Sequence, residues 1–379
     1  MRITRLKLQN FRNHVETEVE WAPHLNVITG PNGAGKTNLI DGIHYLCMSR
    51  SFVASSDIYV VNHEAPYFMI EGHFEGNIRS SFDVGCSYSR GEGKKIFVNE
   101  SPLERLSDLI GMVPVVVLAP EDKKLTSEGP AERRSFIDAL ISQISPRYLR
   151  DLMDYRKARK QRNRLLQEFR GPHQALLAHL EPWNVQLIEY GSRIVSKRTE
   201  VLNQFQSYLE EEYRMISGMQ HRPGLEYQTF CEPSEDPETI EERYAKELEQ
   251  MQDKEIEREV TIVGPHRDEI VFFLDDFELR KYGSQGQHRL FALALKLAQL
   301  FYFTEELDDL PIFLLDDVFG DLDSHRTEVL LTALVEHTGQ TFVTSANPVP
   351  FDRYVTFDGD KNRRYRVEDG EVTLQGSNA

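Results

Sequence analysis

Along the first quarter of the chain, apolar and polar positions mix with the short period of β-structure. In MRITRLKLQNF, Ile3, Leu6 and Leu8 interleave with charged residues, which predicts a half-exposed strand and no signal segment. Further strands are predicted at LNVIT, FMIEGHF, SFDVGCSY, KIFVN and VPVVVLAP, with one helix at NLIDGIHYL. From about residue 126 to 260 the pattern changes to long charged stretches with helical periodicity, such as RRSFIDALISQI and YLRDLMDYRKARKQRNRLLQEF. After Thr261 strands return at TIVGPHRDEIVFFL, PIFLLDD and QTFVTSA, around the apolar helix FALALKLAQLFYF. The runs VVVL and IFLL are continuous, as central strands covered on both faces require.

The expected fold class is therefore α/β, a head with a mixed sheet interrupted by an inserted α-helical lobe. The head comprises residues 1–125 and 261–379, and the lobe residues 126–260. Gly171-Pro172 and Glu181-Pro182 should break the insert into several helices. No internal repeat is visible, and the polar tail beyond Gly370 is expected to fray.

Composition narrows this picture a little. The 379 residues are 40% hydrophobic and 28% charged, ordinary for a globular protein of two or three domains. A net charge of −17 excludes an overall positive field, though a basic face remains compatible with it. Cys47, Cys86 and Cys231 have no metal-ligand spacing and read as buried thiols of a reducing cytosol. The longest apolar segment, Leu290–Phe303, is too short to span a bilayer, so a cytoplasmic protein without a membrane partner is expected.

GPNGAGKT, Gly30 to Thr37, fits the phosphate-loop pattern in full, between a predicted strand and a predicted helix. Gly30, Pro31, Asn32, Gly33, Ala34 and Gly35 would turn backbone N–H groups around a nucleoside triphosphate. Lys36 would neutralise the outer phosphates and Thr37 would ligate Mg²⁺, with ATP as the implied cofactor. The strand IFLLDD ends in Asp316, suited to the metal side of such a site. Asp317, one step on, is placed to orient or deprotonate an attacking water.

A second anion-compatible turn, YGSQGQHRL, stands far downstream. A Ser and two Gly ahead of a helix offer free N–H groups and a hydroxyl, and the same residues also make a simple helix cap. Here the chain resembles the ABC-type ATPases: Gly283-Ser284-Gln285-Gly286-Gln287 matches their signature turn, imperfectly at Gln285. The resemblance implies that Ser284, Gly286 and Gln287 contact nucleotide held by a second copy of the chain, in an ATP-dependent homodimer. FGDLD resembles the superfamily's D-loop, with Asp321 and Asp323 toward the partner. Thr344, Ser345 and Asn347 stand where a switch histidine is expected, which implies slow hydrolysis.

Four further stretches, LQNFRN, SRSFVASSD, LAPEDKKLTSEGPAERRSFID and GPHRDEI, resemble the RecF family of bacterial recombinational repair proteins over nearly the whole length. That likeness implies a weak, DNA-stimulated ATPase that dimerises on duplex DNA near single-strand gaps. RecO and RecR are its implied partners in loading RecA. Arg12 and Asn13 match residues near the nucleotide in related ATPases, and also suit a strand-to-turn junction. His266, Arg267 and Asp268 belong either to a polar turn or to a nucleotide or DNA face.

The stretch from Pro146 to Arg170 carries nine basic residues against three acidic ones. Arg156, Lys160 and Arg164 fall on one helix face and could track DNA phosphates, or pair with the acidic run after Cys231. No base-reading motif is evident. The alternative function is the motor subunit of an ABC transporter, which shares the three nucleotide motifs. A long-coiled-coil chromosome protein needs more chain than 379 residues hold.

Overall fold

The structure, a computed structural model, describes residues 1–218, 221–232, 236–336, 339–346 and 351–375. The chain divides into two compact units: Met1–Asp122 with Arg214–Met219 and Ala292–Ala379, and Lys123–Tyr213 with Gln220–Phe291. In chain order the first unit starts with β1 (Arg2–Phe11), β2 (His14–Glu20), β3 (Leu25–Thr29) and α1 (Lys36–Met48). Strands β4 (Tyr67–Glu75), β5 (Phe82–Ser89), β6 (Gly93–Val98), β7 (Ser101–Pro102) and β8 (Val115–Leu118) follow. The second unit holds α2 (Lys124–Ser127), α3 (Pro130–Ile144), α4 (Pro146–Glu168) and most of α5 (His173–Ser217). It continues with β9 (Pro223–Gln228), α6 (Pro237–Arg258), β10 (Glu269–Leu274), β11 (Phe277–Glu278) and α7 (Leu279–Tyr282). Helix α8 (Gln285–Glu306) leads back to the first unit, which ends with β12 (Ile312–Asp316), α9 (Ser324–Glu336), β13 (Thr341–Ser345), β14 (Asn362–Glu368) and β15 (Glu371–Gln375).

The first unit contains two sheets. One is antiparallel, in the order β2-β1-β4-β5-β6-β7, and β4 shows the expected alternation of exposed and buried positions. The other runs β15-β14-β3-β13-β12-β8, parallel except at β15, and all five residues of β12 are buried. Helix α1 packs against strands of both sheets, and Leu39, Ile40, Ile43 and Leu46 join one core with Ile3, Leu8, Ile28, Leu314 and Phe342. At about 25 cal/mol per Å² of apolar surface, this shared burial fixes α1 between the sheets. The phosphate-loop strand β3 and the Asp316 strand β12 are separated only by β13, with all three parallel. Both functional segments therefore leave the same edge of the sheet, where ligands bind in parallel α/β folds.

The second unit is helical with a small antiparallel sheet, β11-β10-β9. Helix α4 begins on a Ser145 cap with Pro146 at its first position, and α6 begins on an Asp236 cap with Pro237. Two expectations are corrected here. Pro182 lies inside the 45-residue α5 and does not end it, although Gly171-Pro172 does separate α4 from α5. An interior proline costs about 3 kcal/mol. Keeping one rigid length buries Leu180, Leu187, Ile194, Val201, Phe205 and Leu209 at helical spacing, which outweighs that cost. The lobe also extends past residue 260, because β10 pairs with β9 along its whole length and so carries residues 261–291 into the second unit.

The tail was expected to fray beyond Gly370, yet residues 371–375 form β15. Asp369 and Gly370 both have positive φ, the geometry of a tight hairpin turn that returns the chain against β14.

Candidate functional site

The phosphate loop leaves β3 and enters α1 through three glycines in conformations that disfavour side chains: Gly30 at φ 152°, Gly33 at 82° and Gly35 at 113°. A Cβ on Gly30 would stand 2.2 Å from the Val367 carbonyl oxygen, so β14 approaches too closely for any other residue. Inside the loop, the Lys36 ammonium donates to the Gly30 and Pro31 carbonyls, both at 2.9 Å. Burial pulls its pKa down, and the carboxylates of Asp317 and Asp316 oppose that.

Thr37 lies in the first turn of α1 and its hydroxyl donates to both oxygens of Asp316, at 2.8 and 3.0 Å. The sheet thus brings together two residues predicted for the metal side from distant motifs. Asp316 is buried, and desolvation raises its pKa. Donors from Thr344 and Thr37 pull the other way, while Asp317 and Glu121 add like-charge repulsion. Asp317 is exposed beside it, at φ 47°. The Thr37 hydroxyl and the Asp316 carboxylate are oxygen donors that fit a hard Mg²⁺ ion, and the Lys36 ammonium with the glycine N–H groups fits the phosphates of a nucleoside triphosphate.

Thr344, at the switch-histidine position, is committed to the acidic strand. Its hydroxyl is fully buried and donates to Asp316 Oδ1 at 2.6 Å, while the backbone N–H of Asp317 reaches it at 3.1 Å. Its hydroxyl therefore supports the acidic strand. Ser345 is also buried, and Asn347 lies outside the described residues.

Arg12 and Asn13 sit on the outer side of the loop. Asn13 donates to the Ala34 carbonyl at 2.9 Å and accepts from Asn38 at 2.7 Å. Arg12 lies 3.4 Å from buried Asp41 of α1 and 3.3 Å from Ser51, within the SRSFVASSD stretch. Both brace the loop and its helix. Sequence reasoning missed His14, which is buried with Nε2 3.1 Å from the Gly35 carbonyl oxygen and Nδ1 2.9 Å from that of Gly370. The Gly370 N–H in turn donates to Ala34. A histidine in an alternating strand gives no sign that a loop will close over it.

The signature turn belongs to the second unit. Gly283 has an ordinary φ of −70°, Ser284 Oγ accepts from the Gln287 N–H at 3.3 Å, and Gln287 Oε1 accepts from the Ser284 N–H at 2.8 Å. This reciprocal pair is a capping box on α8. Ser284, Gln285 and Gly286 are exposed. Of the D-loop pair, Asp323 is exposed and caps α9 through Arg326 N at 2.9 Å; the side chain of Asp321 is outside the described set.

The stripe on α4 is largely neutralised. Arg156 pairs with Asp138 at 3.2 Å and Arg164 with Glu168 at 2.8 Å, while Lys160 has no ion pair among the described residues. Buried Arg162 pairs with Glu255 of α6 at 2.6 Å, so the acidic run does meet the basic helix. His266 is held by the Tyr155 hydroxyl at 2.7 Å and the Thr261 carbonyl at 3.0 Å. Asp268 accepts from Arg198 at 3.2 Å and from Tyr227. These two are structural in the second unit, while Arg267 is exposed. Among the described residues no helix is long and apolar enough to cross a membrane, and no cluster of metal-binding side chains stands elsewhere.

Comparison with known proteins agrees with this arrangement. The family model described as RecF/RecN/SMC N terminal domain matches residues 2–359. The chain is 46% identical over 376 residues to the DNA replication and repair protein RecF of Salinibacter ruber, covering 97% of this chain and 90% of that one. It is 38% identical over 379 residues to that of Halalkalibacterium halodurans, covering 99% and 100%. Among solved structures, one described as the recombination mediator protein RecF-ATP in the RecFOR pathway aligns with a TM-score of 0.89 at 30% identity, covering 99% and 97%. An SMC head bound to ScpA aligns at 0.59 and 14% identity, which bears on the fold alone. With a family model over most of its length and full-length relatives of one name, the chain belongs to the RecF family, whose fold is an ABC-type ATPase head.

Proposed function

We propose that this protein is an ATP-gated DNA-binding protein of recombinational repair, in which ATP acts chiefly as the ligand that pairs two copies on duplex DNA. The observation that carries the reading is the direct contact of Thr37 with Asp316 at the shared edge of β3 and β12, beside a Lys36 resting on its own loop carbonyls. Relatives named as DNA replication and repair proteins, and a RecF-ATP structure of high similarity, support it.

Thr37 and Asp316 would hold Mg²⁺, which supplies charge neutralisation at the phosphates. Lys36 would exchange two carbonyl partners for phosphate oxygens, a stronger charge-assisted contact. Asp317, exposed and one residue beyond Asp316, would orient water. Histidine is absent from the described end of β13, and the Thr344 hydroxyl is committed to Asp316, so proton handling is poor and hydrolysis slow. The exposed Ser284 turn, whose side chain serves its own helix, would meet the nucleotide of the second copy. A ligand shifts an equilibrium only by binding one state better, and this trans contact supplies the difference. RecO and RecR, named in the pathway of the relatives, would be the partners at gap junctions.

The test is duplex-DNA binding by fluorescence anisotropy with and without Mg-ATP, across a salt series. Tight binding only with Mg-ATP, weakening linearly in log salt, is the expected result. Equal affinity in both states would overturn the gating, and no binding in either would overturn the DNA reading.

A further inference from the structure

GPAERRSFID and GPHRDEI, which lie in two of the stretches that resemble the family, converge within the second unit. A cavity of about 170 Å³ lies there, lined by Arg134 and Ser135 of α3, Arg156 and Arg159 of α4, Arg198 of α5 and His266, with Asp138 as its one lining carboxylate. Most of that carboxylate is already committed. Asp138 accepts from Arg198 at 2.8 Å and from the Tyr148 hydroxyl at 2.6 Å, and pairs with Arg156 at 3.2 Å. Arg198 is buried and also spans Asp268 and the Pro265 carbonyl, which fixes the loop carrying His266.

Three guanidiniums remain with capacity. Arg134 spends one nitrogen on the Asp268 carbonyl at 2.6 Å, and Arg156 spends one on Asp138. Arg159 makes no hydrogen bond or ion pair among the described residues. Burial lowers the pKa of His266 to about 3, and Arg159, Arg267 and Arg134 add to that. His266 is thus a neutral wall, with Nδ1 engaged by Tyr155 and Nε2 by Thr261. Planar forks around a fixed floor match the geometry of a phosphate oxyanion.

We infer that this cavity grips one backbone phosphate of duplex DNA, an inference that rests on the DNA-binding reading above. The cavity is smaller than the clefts of about 300–1,000 Å³ that hold small molecules, and Tyr155 is buried, so no base or nucleoside fits. A single phosphate does. DNA is favoured over an acidic peptide because α4 carries further exposed cations beside the cavity, at Lys157 and Lys160, as successive phosphates require.

The experiment compares the wild-type chain with Arg159→Gln and Arg159→Lys for duplex-DNA binding with Mg-ATP between about 50 and 200 mM salt. Loss of one phosphate contact lowers the slope of log affinity against log salt by about one and the affinity near 0.15 M roughly fivefold. Arg159→Gln should show both, while Arg159→Lys should restore the slope, because the charge returns, and only part of the affinity, because the planar fork does not. An unchanged slope in Arg159→Gln, with wild-type binding normal, overturns the cavity while leaving the DNA reading in place. Full recovery of affinity by Arg159→Lys also overturns it, since a diffuse helix field needs only the charge. Competition by an acidic peptide without a DNA defect would assign the cavity to a protein partner and sink the inference. Wild type that fails to bind duplex at all removes both readings.

Discussion

Two phosphate-compatible turns in this chain are built on opposite principles. The loop at Gly30–Thr37 uses backbone shape: three glycines at positive φ, a β14 carbonyl pressed against Gly30, and braces from Asn13, His14 and Gly370 around Ala34 and Gly35. The turn at Gly283–Gln287 uses no unusual backbone at all. It is a capping box on an exposed helix end, with its serine and glutamine serving each other. The first is held in shape by the folded unit around it. The second is an exposed helix N-terminus, as the proposed trans contact would require. Substitutions at the two turns should therefore fail in different assays.

The largest effect is expected at Gly30. In Gly30→Ala the new methyl group meets the Val367 carbonyl oxygen at 2.2 Å, at a φ of 152°. Backbone strain of about 1–3 kcal/mol and overpacking of about 1–3 kcal/mol together predict a loss of about 2–6 kcal/mol of stability. Urea unfolding should show that loss, and Mg-ATP binding by calorimetry should disappear. A variant with wild-type stability would mean that β14 yields easily and that the loop is not held by shape.

Ser284→Arg comes next and separates binding from pairing. The side chain is exposed and its cap contributes about 1 kcal/mol, so the fold should survive. Mg-ATP binding to the monomer is expected to stay within about twofold of wild type, well under the tenfold that 1.4 kcal/mol represents, while ATP-dependent dimerisation vanishes in analytical ultracentrifugation. Dimers that persist in this variant would place the pairing surface elsewhere and dissolve the contrast between the turns.

The parts of this arrangement that local pattern encodes were legible in advance. The phosphate loop, Asp316 and the continuous strands announce themselves because glycine spacing and apolar runs are short-range signals. What escaped depends on tertiary company. Pro182 reads as a breaker, and only the apolar face of α5 shows why the helix continues through it. Thr344 reads as a free hydroxyl until β13 sets it against Asp316. The α4 stripe reads as a row of cations, and the folded unit reveals Asp138 and Glu168 beside two of them. His14, buried between two carbonyls from distant turns, carries no sequence signature whatever. Arg134 and His266 stand far apart in the chain, so their shared cavity was invisible although both stretches had been singled out.

The smallest effect, and the sharpest comparison, is Gly286→Ala. Here the same methyl group that ruins Gly30 meets only Ser284 Oγ at 4.0 Å, and Gly286 lies in the first turn of α8 without a positive φ. Alanine is the better helix former by up to about 1 kcal/mol, so the monomer should hold its stability or gain slightly in thermal unfolding. Nothing in the isolated chain asks for glycine at this position. If close backbone approach to the partner's nucleotide is the reason for it, ATP-dependent dimerisation should weaken by a few fold while the melting temperature does not fall. Loss of pairing with an intact or more stable monomer would assign the glycine to the trans contact. Pairing unchanged by the added methyl would leave Ser284 as the residue that makes that contact and remove backbone proximity from the account.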